Sequence, residues 1–371
     1  MRTTDPRAPQ IVALGEVMIR DTPSDLQRLE RTREVFVSPA GSEYTLTLLA
    51  RRLGVRSAFV TRLPDNPYGW MIRDIARSHD VDTSGFVWAP AWEPIGRYLY
   101  ELGRDPRPSY GWYQRAGSAA SRLGPGALDW GALLSGARVL HTTGITFGLA
   151  SHAGFADNPL LGAFEEAVAA SPQGCAVGLD FNYRSTLWSA EECHAVLEGV
   201  LLEHTDILIA SPFDMAQHFG IGFGAMAPRD VLEQGLAVPA DEELRDFCGA
   251  VLDRFDLDTV AVTLRHPRSF DEHLWESCAM RRDGTFARSE APRPIHVLDR
   301  LGGGDAWTAG FYASLLQGDG GAAALATAIA VADAATRLAQ TLMFDLAVLR
   351  AEDVQALLDA DGAGQVPGTV R

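Results

Sequence analysis

From residue 137 onward the chain alternates short apolar runs with longer stretches of helical period, and this rhythm limits its fold more than any other feature. The runs are Val139 to Thr142, Ala176 to Phe181, Ile207 to Ala210 and Thr259 to Thr263. Between them lie Leu160 to Ala170, Ala190 to Glu203 and Asp241 to Phe255. Apolar strands with helices between them fit a parallel sheet that is covered on both faces. The first part of the chain offers a strand at Ile11 to Leu14, a helix from Glu43 to Leu53 ending at Gly54, a strand at Ala58 to Thr61, a helix from Gly69 to His79 and a strand from Thr83 to Trp88. A glycine directly after a helical run suits a C-cap. The expected class is α/β, a mainly parallel sheet with helices on both faces. Two segments break the rhythm. Met18 to Val37 alternates in places and carries charge, and residues 96–101 and 109–115 form a strand pair rich in aromatics. They predict a small β-sheet lid with strands from about 17–38 and 95–115. The expected organisation is a disordered stretch at 1–10, one domain over 11–358 and a flexible Gly/Asp/Pro-rich tail at 359–371.

The net charge of −16 argues against binding a phosphate backbone as the main task. Met1 to Gln10 has no apolar core of a leader, and no later run reads as long enough to span a bilayer. The chain reads as cytoplasmic, with neither nucleic acid nor membrane as a partner. Cys175, Cys193, Cys248 and Cys278 match no zinc or redox spacing and read as free structural thiols. All 32 basic residues are arginine. Without lysine there is no Walker A loop, no protein-kinase β3 lysine and no Schiff base.

Within this frame, Leu298 to Phe311 carries the clearest chemistry. A strand-like segment, Ile295 to Leu298, leads to Gly302, Gly303, Gly304 and Asp305, and a helical pattern follows with Trp307, Phe311 and Leu315 on one face. Consecutive glycines let backbone N–H groups approach a ligand, and a helix start adds free N–H groups and the positive end of its dipole. Such a place holds an anion, yet Asp305 stands in it. A carboxylate there makes sense as a base that takes a proton from a hydroxyl attacking phosphorus. Read structurally, the same aspartate caps the helix. A dinucleotide fingerprint fits less well, because Trp307 occupies its third glycine position.

A second constellation is Tyr98, Tyr113, Arg115 and Arg184. Guanidinium forks suit carboxylate or phosphate, and tyrosine offers a face and a hydroxyl. Asp180, Asn182 and Arg184 follow a strand at alternating positions; a pairing of Asp180 with Arg184 is as consistent with the pattern as a metal role. No metal ligand set is predicted. His141 at a strand end reads as a hydrogen-bonded structural histidine, and Ser211-Pro212-Phe213-Asp214 as a helix start.

Together these segments resemble the ribokinase-like (PfkB) carbohydrate kinase family from about Ile11 to Leu358. Asp299 to Phe311 resembles its C-terminal signature, in which the glycines form an anion hole and the last aspartate is the catalytic base. Pro39 to Glu43 with Leu49 to Gly54, Arg62 to Gly69 and Val81 to Ser84 resemble other family segments. Within the family the chain is most similar to 2-keto-3-deoxygluconate kinases, through Tyr113 to Ala119, Thr143 to Thr146 and Asp180 to Trp188. The resemblance implies ATP and Mg²⁺ as cofactors. It implies sugar-acid contacts at Gly41, Tyr98, Tyr113, Arg115, Arg184 and Asp345. Asn182, Ser211, Thr263 and Arg265 fall on the nucleotide side. A homodimer through the lid is the expected assembly. Ala40, Tyr44 and Thr45 depart from the usual Gly-Gly and Asn, and are expected to bear on which sugar fits. Arg300 replaces a common threonine, and Asp214 a glutamate linked to the Mg²⁺ water network. A kinase of fructose, a nucleoside or another polyol remains open, as does a non-catalytic sugar binder on the same scaffold.

Overall fold

The computed structural model describes residues 8–151, 157–223, 239–269 and 271–364. In chain order the described strands are β1 (Ile11–Leu14), β2 (Met18–Pro23), β3 (Val35–Ala40), β4 (Ser57–Pro64), β5 (Phe86–Ala89), β6 (Arg97–Glu101) and β7 (Tyr110–Gln114). Then come β8 (Val139–Thr143), β9 (Ala176–Asp180), β10 (Ile207–Ala210), β11 (Thr259–Pro267), β12 (Glu272–Arg281), β13 (Phe286–Arg288) and β14 (Arg293–His296).

The large sheet runs β13-β12-β11-β10-β9-β8-β1-β4-β5, with β14 also paired to β12. From β11 to β5 every pair is parallel. The expected alternation is thus a covered α/β sheet, and its strands separate their side chains by parity. Ile11, Val139, Ile209 and Ala261 enter one core with the helices Ser42–Arg52, Gly303–Gln317 and Ala322–Ala339. Val12, Leu140, Leu208 and Val260 enter the opposite core with Pro159–Ala170, Ala190–His204 and Asp241–Phe255. Both faces are buried, so these strands read as unbroken apolar runs.

The small sheet has the order β3-β2-β6-β7, antiparallel at both outer pairs and parallel between β2 and β6. It sits on the α/β body through Arg20 of β2, whose guanidinium reaches Asp299 at 2.5 Å and Asp345 at 2.7 Å.

Several boundaries differ from the sequence reading. β11 continues past Thr263 to Pro267 because β12, which the pattern does not announce, pairs with it antiparallel along its whole length. The helix Ala322–Ala339 escapes the reading because alanines carry its buried face. By length and composition alone this helix meets the threshold for crossing a membrane, contrary to the expectation of no such run; half of it is buried. It packs on Gly303–Gln317 and carries buried Asp333. The last helix runs to Gly362, so residues 359–362 are helical rather than tail. Gln10 N–H bonds Arg56 O at 2.8 Å, and Ala8 O accepts from Arg56 Nε at 2.8 Å, so the expected disorder does not reach residues 8–10. Residues 1–7 and 365–371 lie outside the described residues. The four cysteines are free thiols.

Candidate active site

The glycine run begins just after β14. That strand is antiparallel to β12, which is antiparallel to β11, so β14 ends on the same side as the parallel strands. Gly302 caps the helix Gly303–Gln317 with φ 75°, a left-handed conformation that suits glycine. A Cβ there would come within 2.4 Å of Asp345 O. The first-turn amides of Gly303, Gly304 and Asp305 point out of the helix start with no carbonyl partner inside it.

The helix is held from behind by one face of Ala322–Ala339 and its end. Asp333 accepts from Trp275 Nε1 and Trp307 Nε1, each at 3.1 Å, and from Ser277 Oγ at 2.6 Å and Ser289 Oγ at 2.5 Å. Thr336 Oγ1 donates to Gly303 O at 3.0 Å, and Gln340 O accepts from Leu298 N–H at 2.8 Å. Trp307 stacks on Phe311 with centroids 4.8 Å apart, so the aromatic face expected for this helix is a core face.

Asp305 lies in a cleft of about 540 Å³ lined also by Asp180, Asn182, Arg184, Ser211, Asp214, Thr263, Arg265, Arg300 and Gly302 to Gly304. Every residue expected on the nucleotide side therefore faces the same space as the glycines. Burial pushes the Asp305 carboxyl up to about 6; the Ser42 hydroxyl bonded to its Oδ1 works against the rise, Asp345 adds to it and Arg184 opposes it. Removing that hydroxyl therefore raises the proton affinity of Asp305. Ser42→Ala moves the acid limb of the rate profile to higher pH, read from kcat/KM between pH 5 and 8; an unmoved limb contradicts this role for Ser42.

Asp180 has risen to about 8, through burial and then the charge of Asp305, and it accepts from Asn182 Nδ2 at 3.2 Å. No ion pair joins Asp180 to Arg184 among the described residues. Arg184 is exposed and donates to Tyr183 O at 3.1 Å. Glu43 is buried and accepts from Thr143 N, Thr143 Oγ1 and Thr146 Oγ1; burial still carries its carboxyl to about 7. Both acids keep protons in the folded state that the unfolded chain has already released above about pH 4. The folded state then binds more protons than the unfolded one, so stability falls as pH rises. Below about pH 6.5 the buried neutral His141 and His273 offset this trend, so the unliganded protein is expected to melt at progressively lower temperature from pH 7 to about pH 8.5; a midpoint that climbs over that range contradicts the assignment.

The sugar-side residues gather around Tyr113. It stacks on Tyr98 with centroids 5.1 Å apart, and its hydroxyl is raised by burial, then by Asp345, and lowered by Arg184 and Arg115. Tyr98 OH donates to Asp345 Oδ1 at 2.7 Å. Arg115 is paired with buried Glu16 at 2.6 Å, and Glu16 also accepts from Ser118 Oγ at 2.5 Å. Tyr113 and Arg115 line a second cavity of about 640 Å³. Gly41 lets the chain pass close to the link between β1 and β2, since a Cβ there would meet Glu16 O at 2.3 Å. Tyr44 faces away from this region: it is fully buried, donates to Ile72 O at 2.9 Å and meets Phe59 edge-on. Its bulk fills the core and not the sugar pocket, against expectation. Thr45 is also fully buried, with Oγ1 unpartnered among the described residues. His141 bonds Tyr312 OH at 3.1 Å, and burial lowers it to about 3, which makes it a neutral structural histidine.

Arg20, Ser42 and the Asp333 face are the residues that local sequence pattern does not mark. Arg20 meets partners 279 and 325 residues away, and no spacing rule reaches so far.

The sequence profile described as pfkB family carbohydrate kinase matches residues 8–237. The chain belongs to this family. It is an ATP-dependent carbohydrate kinase. The kinase is 29% identical over 355 residues to a 2-dehydro-3-deoxygalactonokinase of Haloferax volcanii, covering 96% of this chain and 98% of that protein. It is 32% identical over 232 residues to a 2-dehydro-3-deoxygluconokinase of Thermoproteus tenax, covering 61% and 66%. Its fold matches the crystal structure of the 2-dehydro-3-deoxygluconokinase of Thermotoga maritima with a TM-score of 0.81 and 30% identity, over 95% of this chain and 99% of that one. The profile match ends before the glycine run, which lies within the stretch shared with the Haloferax relative.

Proposed function

We propose that this kinase transfers the γ-phosphoryl group of ATP to a hydroxyl of a 2-keto-3-deoxy sugar acid, with 2-keto-3-deoxygluconate (2-dehydro-3-deoxygluconate) as its first substrate. The observation that carries this reading is Asp305, a carboxylate on the first turn of a helix whose free amides share one cleft with exposed Arg184. Asp305 accepts the proton of the attacking hydroxyl, and its value of about 6 leaves it ionised at neutral pH. The amides of Gly302 to Gly304 and the helix dipole stabilise the transferring group without rearranging. Arg184, with Arg115 across Tyr113, answers the carboxylate of the sugar acid, while Gly41, Tyr98, Tyr113 and Asp345 bound the sugar. Asn182, Ser211, Thr263 and Arg265 serve the nucleotide.

The donor set fits Mg²⁺ held by the nucleotide rather than by a protein cage. Among the described residues no cluster of three acidic, histidine or cysteine side chains has ligand spacing. Asp180 and Asp214, two half-buried carboxyls raised in proton affinity, would hold the ion's water shell beside Asn182. Mg²⁺, when bound, supplies charge neutralisation to the phosphates.

The Haloferax relative supports a second reading, the galactonate epimer as substrate. A panel of both keto-deoxy acids, fructose, ribose and a nucleoside, scored by ADP release, tests the proposal. The highest kcat/KM falls on a carboxylated sugar; equal or better turnover of a neutral sugar refutes it.

The same reading includes a homodimer through the small sheet. β3 exposes Val35, Phe36 and Val37, and β7 exposes Tyr110 and Trp112, at edges that carry no partner strand among the described residues. Light scattering is expected to give twice the chain mass for the wild type and a shift to monomer for Trp112→Lys; a monomeric wild type contradicts it.

A further inference from the structure

The 540 Å³ cleft carries charges of both signs. Asp180, Asp214 and Asp305 share it with Arg184, and Arg184 is the cation that acts on all three. Arg265 and Arg300 line the same cleft but come from other parts of the fold: Arg265 from β11, Arg300 from the run between β14 and the glycines. Neither has an acidic partner among the described residues. The carboxylate next to Arg300, Asp299, is already engaged by Arg20 Nη2 at 2.5 Å, Phe344 N–H at 3.1 Å and Leu301 N–H at 3.2 Å.

Arg300 is nevertheless close enough to act on Arg265. Arg265 is lowered in proton affinity by burial and then by Arg300 and Arg184. His273, on β12, is held near 4 by burial and by the same pair, so it stays neutral and adds no counter-charge. Two like charges held close without an acid between them await an anion.

We infer that Arg265 and Arg300 form a two-guanidinium clamp for the diphosphate of the leaving nucleotide, in the cleft they share with the glycine run. The clamp rests on the kinase reading above, and Arg300 is its new member. Its chemistry selects a nucleoside diphosphate or triphosphate over the bare nucleoside, because forked donors match phosphate oxygens.

The test is calorimetric binding of ADP and of adenosine to the full chain, with no sugar present. Failure of the sugar assignment therefore leaves the result readable. In Arg300→Gln and in Arg265→Gln, ADP is expected to bind about 10- to 100-fold more weakly, with adenosine changed less than about 2-fold. Arg300→Lys, which keeps the charge but loses the fork, recovers part of the loss and serves if the glutamine variant does not fold. The wild type's affinity for ADP, unlike that for adenosine, falls with salt. Equal weakening of ADP and adenosine overturns the clamp. So does unchanged ADP binding with a raised KM for the sugar acid, which would assign the arginines to the sugar's carboxylate.

Discussion

Asp305→Asn lowers kcat by about 10² to 10⁴ while leaving the thermal unfolding midpoint close to that of the wild type. The amide is isosteric and still accepts the hydrogen bond from Ser42 through its oxygen. It cannot take a proton. The loss therefore appears in kcat, and binding of ATP, which meets the glycine amides and the clamp arginines, changes little. The substitution also removes the negative charge that helps push Asp180 upward, so Asp180 ionises at lower pH in the variant. A capping aspartate would behave differently: asparagine caps helices nearly as well, and a purely structural Asp305 predicts near-wild-type turnover. Single-turnover kinetics of the folded variant separates the two roles.

Arg20→Met is the second large effect, and it falls on stability first. Burial alone would lower the proton affinity of Arg20, but Asp345 and Asp299 together raise it, so the guanidinium stays charged at every accessible pH. Its fork joins β2 of the small sheet to two acids that flank the glycine run, and Tyr100 packs against it with its ring centroid 4.6 Å away. Removing one partner of a buried pair leaves uncompensated charge and costs about 3–5 kcal/mol. That is a large fraction of the roughly 5–15 kcal/mol that holds a domain together. The sign with pH follows from Asp299. Burial already raises its proton affinity and Arg20 opposes that rise. Without Arg20 the carboxyl takes a proton more readily, so the deficit relative to the wild type shrinks as pH falls from 8 towards 5. Denaturant unfolding at both pH values checks this, and a deficit that grows on acidification contradicts it.

The legible parts of the fold are those governed by local periodicity. Ile207–Ala210 and Asp241–Phe255 are read from sequence to the residue, because an apolar run and an amphipathic helix each announce themselves within one window. Helix Pro67–Ser78 begins two residues before the sequence reading places it, where Asn66 accepts from Tyr68 N–H and Gly69 N–H. The helix Ala322–Ala339 is invisible because alanine marks neither face of a helix. β12 is missed because its polar residues, Glu276 and Ser277, are buried through distant partners: Arg288 for the first and Asp333 for the second.

The candidate site divides in the same way. The glycine run and Asp305 are contiguous, so sequence reveals them together. Arg115, by contrast, shows only its guanidinium fork in sequence, and its partner Glu16 lies 99 residues away. Tyr44 reads in sequence as a departure that bears on which sugar fits, and its side chain fills the core against Phe59. Helix phase decides which way such a side chain points, and a one-residue difference in phase turns a pocket residue into a core residue.

The most direct measurement is the product of one reaction: wild-type enzyme with ATP, Mg²⁺ and 2-keto-3-deoxygluconate, followed by mass spectrometry of the sugar and quantitation of ADP. The account predicts a monophosphorylated sugar acid in one-to-one ratio with ADP, and neither product above background with Asp305→Asn. ADP formed without a phosphorylated sugar, or the same phosphosugar made as fast by Asp305→Asn, would contradict it.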